Sequence, residues 1–115
     1  MDLFDRSSLT NEYRYRMTTI YIIRHGETEW NLKGIHQGHM DSELTAKGEK
    51  QAEGLGNRFL KSGISFDAIY SSDLGRALRT AEQICAPIGQ EKIIQEETSL
   101  RERSLGNIEG LTYPE

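Results

Sequence analysis

Apolar residues along this chain gather in short blocks of two textures, unbroken β-branched runs and helically spaced faces, divided by glycine-rich polar stretches. Residues 1–16 have neither texture and mix three acids with three bases, which reads as a flexible leader; residues 17–115 are taken as the folded unit, and Met17 is a second candidate start. Residues 18–23, TTIYII, are dense in β-branched and aromatic side chains without alternation, the pattern of a central strand covered on both faces. From Gly26 to Ser42 no period is sustained, so a long loop serving a site is expected. Thr45 then stands as N-cap of a helix with Ala52, Leu55 and Phe59 on one face and Gly63 at its end. Residues 66–70 read as a second strand. Asp73 reads as the cap of a second helix, with Ala77, Leu78, Ala81, Ile84 and Cys85 on one face and Pro87 and Gly89 as its stop. A third strand is expected around Ile93 and Ile94, followed by a polar loop from Leu100 to Gly106. This alternation predicts an α/β protein, a three-layer α/β/α sandwich with a mostly parallel central sheet and right-handed crossovers. Residues 111–115 resemble a helix entry with no helix after it, so the chain is expected to be the amino-terminal part of a larger domain.

Composition narrows the possible functions. With 115 residues and 36% apolar side chains there is material for one modest core. Eighteen acids against fourteen bases, a formal charge of −4, argue against nucleic acid as a partner; an anionic ligand would need a locally basic pocket. The one cysteine, Cys85, excludes an internal disulfide and a multi-cysteine metal site and suits a reducing compartment. No run approaches the ~18 apolar residues of a membrane span. The expectation is a cytoplasmic protein with no membrane partner.

Arg24-His25-Gly26 directly follows the first predicted strand, at the carboxyl end where open α/β sheets place ligands. A neutral imidazole is a competent nucleophile once one ring nitrogen holds the proton, and a neighbouring backbone carbonyl can fix which one does. Arg24 offers a fork of donors matched to phosphate oxygens, and Gly26 permits close backbone approach. Arg76, in the first turns of the second predicted helix, is placed to grip the same phosphoryl group from another side. Asn31 can add an amide donor, while Arg79, a turn beyond Arg76, reads as a surface or ion-paired residue. His36 and His39 form an H-x-x-H pair without supporting acids or cysteines, so no metal is assigned.

The ordered series Arg24-His25-Gly26-Glu27-Thr28-x-Trp30-Asn31, Gln37-Gly38-x-x-Asp41-Ser42-x-Leu44-Thr45, Ser71-Ser72-Asp73-Leu74-x-Arg76-Ala77-x-x-Thr80-Ala81, Leu100-Arg101-Glu102 and Gly106-x-x-Glu109-Gly110 resembles the histidine phosphatase superfamily, the phosphoglycerate-mutase-like proteins, over residues 19–113. The resemblance implies that His25 is phosphorylated, that Arg24, Arg76 and Asn31 bind the phosphoryl group, and that Glu102 donates the proton to the leaving group. From local sequence alone Glu102 reads as a surface acid paired with Arg101 or Arg103. Gln37 and Gly38 are implied as substrate rim residues. The family needs no cofactor or metal. Residues 37–42 are similar to the small broad-specificity and α-ribazole-phosphate phosphatases, whereas Glu102-Arg103 shares the mutase pattern. The expected function is hydrolysis of a small phosphorylated metabolite through a phosphohistidine. The alternatives are a catalytically silent phosphate-binding or oligomerising fragment, and mutase-type phosphoryl transfer. The family also carries a second catalytic histidine in a Gly-His pair well downstream, with no counterpart here, and the missing strands would leave edges prone to homo-oligomer formation.

Overall fold

A computed structural model describes residues 17–113. The expected leader, residues 1–16, and the last two residues of the expected helix entry lie outside the described residues. In chain order the elements are helix α1 (Glu29–Lys33), helix α2 (Ala46–Lys61), strand β1 (Ile69–Ser71), helix α3 (Gly75–Cys85) and strand β2 (Ile94–Glu96), with single 3-10 turns at Glu91–Ile93, Thr98–Leu100 and Gly106–Ile108.

Helix α2 forms for the reasons its sequence offers. The Thr45 hydroxyl accepts from the Gly48 N–H at 3.0 Å, satisfying a donor that the first turn leaves open. Gly48, Ala52, Gly56 and Phe59 are buried at helical spacing, and Gly63, at φ 68°, turns the chain away. Helix α3 buries Arg76, Thr80, Ile84 and Cys85. The two helices meet where Gly56 passes the Ile84 carbonyl so closely that a Cβ at Gly56 would collide with it. Ala52, Phe59 and Ile84 form the core, with Leu55, Ile64, Phe66 and Ile88 against it. Tyr21, Phe59 and Phe66 close it edge to face, with ring centroids 5.3 to 5.5 Å apart.

Strands β1 and β2 pair in parallel, Ile69 with Ile94, Tyr70 with Gln95 and Ser71 with Glu96, so β1, α3 and β2 make one βαβ unit. The second strand is shorter than residues 66–70 because the Gln90 side chain takes the backbone of Phe66. Its Oε1 accepts from the Phe66 N–H at 2.9 Å and its Nε2 donates to the Phe66 carbonyl at 2.8 Å, occupying groups a ladder would use.

Three expectations require correction. Residues 18–23 are not a strand. They have no ladder partner among the described residues, and Ile20 and Ile22 are 73% and 92% exposed, so the two apolar layers that such a run needs are not both present. The loop from Gly26 to Ser42 contains α1, which Thr28 and Asn31 close with a reciprocal capping box and Gly34 ends at φ 71°. Asp73 does not cap α3. Leu74 occupies the N-cap, the Ser72 hydroxyl accepts from the Leu74 N–H at 3.1 Å, and Asp73 instead holds Arg101. Thr112 lies in an antiparallel bridge to Ile35. Among the described residues no helix is long and apolar enough to cross a membrane.

Candidate active site

His25 is half-buried where the extended segment turns toward α1. Its Nδ1 lies 2.7 Å from the Gly26 carbonyl oxygen. A carbonyl only accepts, so Nδ1 carries the proton and the Nε2 lone pair is left for chemistry. Burial pushes the imidazole pKa below its ordinary 6.5, and the charges of Arg76 and Arg24 push it the same way. The Gly26 carbonyl and Glu102 act in the opposite sense. The net result is a neutral ring near pH 7.

The turn carrying His25 is fixed from behind. The Gly26 N–H donates to the Thr80 hydroxyl at 3.0 Å, and that hydroxyl donates to the Arg76 carbonyl at 2.7 Å, so α3 grips the turn directly. A Cβ on Gly26 would stand 2.7 Å from the Gly48 carbonyl oxygen, and one on Gly48 would strike the Glu27 carbonyl. Both positions need glycine because two backbones cross there. The Thr45 N–H adds a bond to the Glu27 carbonyl at 2.9 Å, tying the entry of α2 to the same turn.

Arg76 is 3% exposed and organises the loop opposite. Its Nη1 donates to the Met40 carbonyl at 2.6 Å and to Asp41 Oδ1 at 3.1 Å, while Nη2 donates to the Gly38 carbonyl at 2.6 Å. Asp41 Oδ1 also accepts from the Arg76 backbone N–H at 3.3 Å, an N-terminal partner for α3 supplied from a distant loop. Gly75 leaves room for it, since a Cβ there would stand 2.5 Å from Asp41 Oδ2. Among the described residues, Nε–H and the second Nη2–H of Arg76 have no hydrogen-bond partner. Arg24 is exposed.

Gln37 is 7% exposed; its Oε1 accepts from the hydroxyls of Thr28 at 3.2 Å and Ser42 at 2.9 Å. Thr28, fully buried, therefore both caps α1 and orients Gln37. Gly38, at φ 54°, presents its carbonyl to Arg76. Asn31 Oδ1 accepts from the Thr28 N–H at 3.1 Å, which fixes the amide and leaves Nδ2 without a partner among the described residues. Of the H-x-x-H pair, the His36 ring packs edge-on against Tyr113 at 4.4 Å, and the His39 backbone N–H donates to Glu109. Arg79 is ion-paired with Glu49 at 3.0 Å and half-exposed, as expected for a surface residue.

Glu102 is exposed on a stretch without regular structure. Arg101 before it forms a two-bond fork with Asp73, Nε to Oδ1 at 2.7 Å and Nη2 to Oδ2 at 2.6 Å. Glu109 Oε2 accepts from Leu105 N–H at 2.8 Å, His39 N–H at 3.0 Å and the Ser104 hydroxyl at 3.1 Å. These amide and hydroxyl donors hold its carboxyl below the usual range. Thr80, Asp41, Asp73, Arg101 and Glu109 had no assigned role in the site from sequence. The signal for Thr80 is its spacing of four from Arg76 on a helix; the others act across long sequence separations.

The histidine phosphatase superfamily (branch 1) model matches residues 20–115. A broad-specificity phosphatase of Saccharomyces cerevisiae is 44% identical over 97 residues, 84% of this chain and 42% of the relative. A phosphoglycerate mutase structure from Bacillus anthracis superposes with a TM-score of 0.72 at 38% identity, over 77% of this chain and 39% of its own. The mycobacterial glucosyl-3-phosphoglycerate phosphatase, solved with VO3, superposes with a TM-score of 0.70 at 37% identity, over 78% and 43%. The chain thus spans less than half the length of each, and over that part it has the phosphoglycerate mutase-like α/β fold. The family match over residues 20–115, on this fold and with this degree of likeness, makes the chain a member of the histidine phosphatase superfamily.

Proposed function

We propose that the protein hydrolyses a small phosphomonoester through a phosphohistidine at His25. The observation that carries this reading is the bond from Nδ1 to the Gly26 carbonyl, which leaves Nε2 of a neutral ring free, with the charges of Arg24 and Arg76 acting on that ring. Nε2 attacks phosphorus while the ester P–O bond breaks. The alkoxide takes a proton from Glu102, and the arginines spread the transferred charge. Water then attacks the phosphohistidine, Glu102 takes its proton, and inorganic phosphate leaves with the imidazole neutral again. Gln37 and Gly38 border the substrate, with Asn31 adding a donor through Nδ2. That the similar mycobacterial phosphatase was solved with VO3 supports oxyanion binding by this chain. Similarity to both phosphatases and mutases supports a small phosphorylated metabolite as partner. Cys85, free and buried, supports a cytoplasmic setting, and the exposed Ile20 and Ile22 support self-association.

The test is phosphoenzyme trapping. The chain is incubated with a chromogenic phosphomonoester and quenched in base, and the expected product is an acid-labile phosphoryl group mapped to His25 and missing in His25→Ala. A phosphoryl group on another residue, or turnover that persists in His25→Ala, contradicts the reading.

A further inference from the structure

The segment carrying Glu102 has no regular structure, and residues 102–104 are exposed. It nevertheless has a defined course, because a carboxylate holds it on each side, one local and one from the turn between β1 and α3. On the carboxyl side Glu109 takes the Ser104 hydroxyl and the Leu105 N–H, and through the His39 N–H it joins them to the rim loop. On the amino side the Arg101 guanidinium grips both oxygens of Asp73. Asp73 is rigidly sited, two residues past β1 and two before α3, between Ser71 and Ser72, which are buried, and Arg76. The Arg101 N–H also closes the preceding 3-10 turn on the Thr98 carbonyl at 3.1 Å.

We propose that Arg101 is a positioning residue for Glu102: its two-bond pair with Asp73 fixes the acid beside the turn between β1 and α3. The inference rests on the reading of Glu102 as the proton donor. A planar fork on a carboxylate sets direction as well as distance, which a single contact does not. Pairing Arg101 with Asp73 also keeps that guanidinium from pairing with Glu102, the alternative suggested by their adjacency. Arg101 touches no reacting atom and acts through its neighbour.

The test uses the full chain and the pKa of the His25 imidazole, read by NMR and assigned by its loss in His25→Gln. Arg24 and Arg76 face this ring as cations and Glu102 as the anion. Glu102→Gln lowers the His25 pKa by removing the carboxylate. Arg101→Ala is expected to lower it by a comparable amount, although removing a cation by itself would raise it. The double variant should fall no further than Glu102→Gln. Arg101→Lys keeps the charge, is the mildest change to folding, and should give a smaller fall in the same direction. A His25 pKa unchanged in both Arg101 variants while Glu102→Gln lowers it overturns the positioning role and leaves Glu102 as the acid. No change in Glu102→Gln overturns both.

Discussion

At the scale of single residues, the site depends on which groups are kept neutral and which are kept charged. His25 is held neutral by burial and by two arginines, and Asp73 and Glu109 are held ionised by their donors, the Arg101 fork foremost for Asp73. Both effects give stability the same sign with pH. The folded-state pKa of His25 lies below its ordinary 6.5, so between the two values the unfolded chain holds more protons than the folded one. The His25 contribution is therefore fully present above about pH 6.5 and is lost as the pH falls through the folded value. Asp73 and Glu109 add a second loss at lower pH, below their ordinary values of 3.8 and 4.5. Urea unfolding in steps from neutral to pH 5 should show stability declining, with a shallower slope in His25→Gln. Equal slopes in the two proteins would mean that His25 titrates as freely in the fold as in the unfolded chain.

At the scale of elements, glycine separates positions that close contact requires from positions that it does not. In α2, Gly54 is exposed with nothing within 4 Å of an added Cβ, whereas a Cβ on Gly56 would strike the Ile84 carbonyl and stand 3.0 Å from Pro87 Cγ. Gly54→Ala should raise stability by about 0.5–1 kcal/mol through helix propensity. Gly56→Ala should lower it by about 1–3 kcal/mol by forcing α2 and α3 apart. Shifts of the same sign in urea midpoint would contradict the packing described. The same contrast shows what was legible in the sequence. Helix α2 and its Thr45 cap could be read locally, because the periodicity and the hydroxyl that made the prediction are also the physical causes. Helix α3 was legible for its face but not its cap, since the carboxylate meeting its first turn, Asp41, arrives from a loop 35 residues away. Helix α1 was hidden by its brevity, although Thr28 with Asn31 three residues on was its signal. Residues 18–23 had the composition of a buried strand, but composition does not supply the neighbour with which a strand must pair.

At the scale of the whole molecule, the described residues make one βαβ unit and a helix pair, with the His25 turn tied to α3 through Thr80 and the 101–105 segment tied to Asp73 and Glu109. The motif names His25, Arg76 and Glu102 as candidates. The contacts that hold the segments carrying them were not legible, because Thr80 on Gly26, Asp73 on Arg101 and Glu109 on His39 join positions 28 to 70 residues apart. This arrangement has a direct consequence for anion binding: inorganic phosphate should be drawn to Nε2 of an imidazole whose proton is already committed to Gly26. Long-range 1H–15N NMR of the His25 ring during a phosphate titration measures both properties at once. The expected result at neutral pH is a ring protonated on Nδ1 alone, with an Nε2 resonance that moves saturably with phosphate and stops moving in Arg76→Ala. A ring protonated on Nε2, or phosphate that saturates elsewhere on the chain while Nε2 stays fixed, would contradict it.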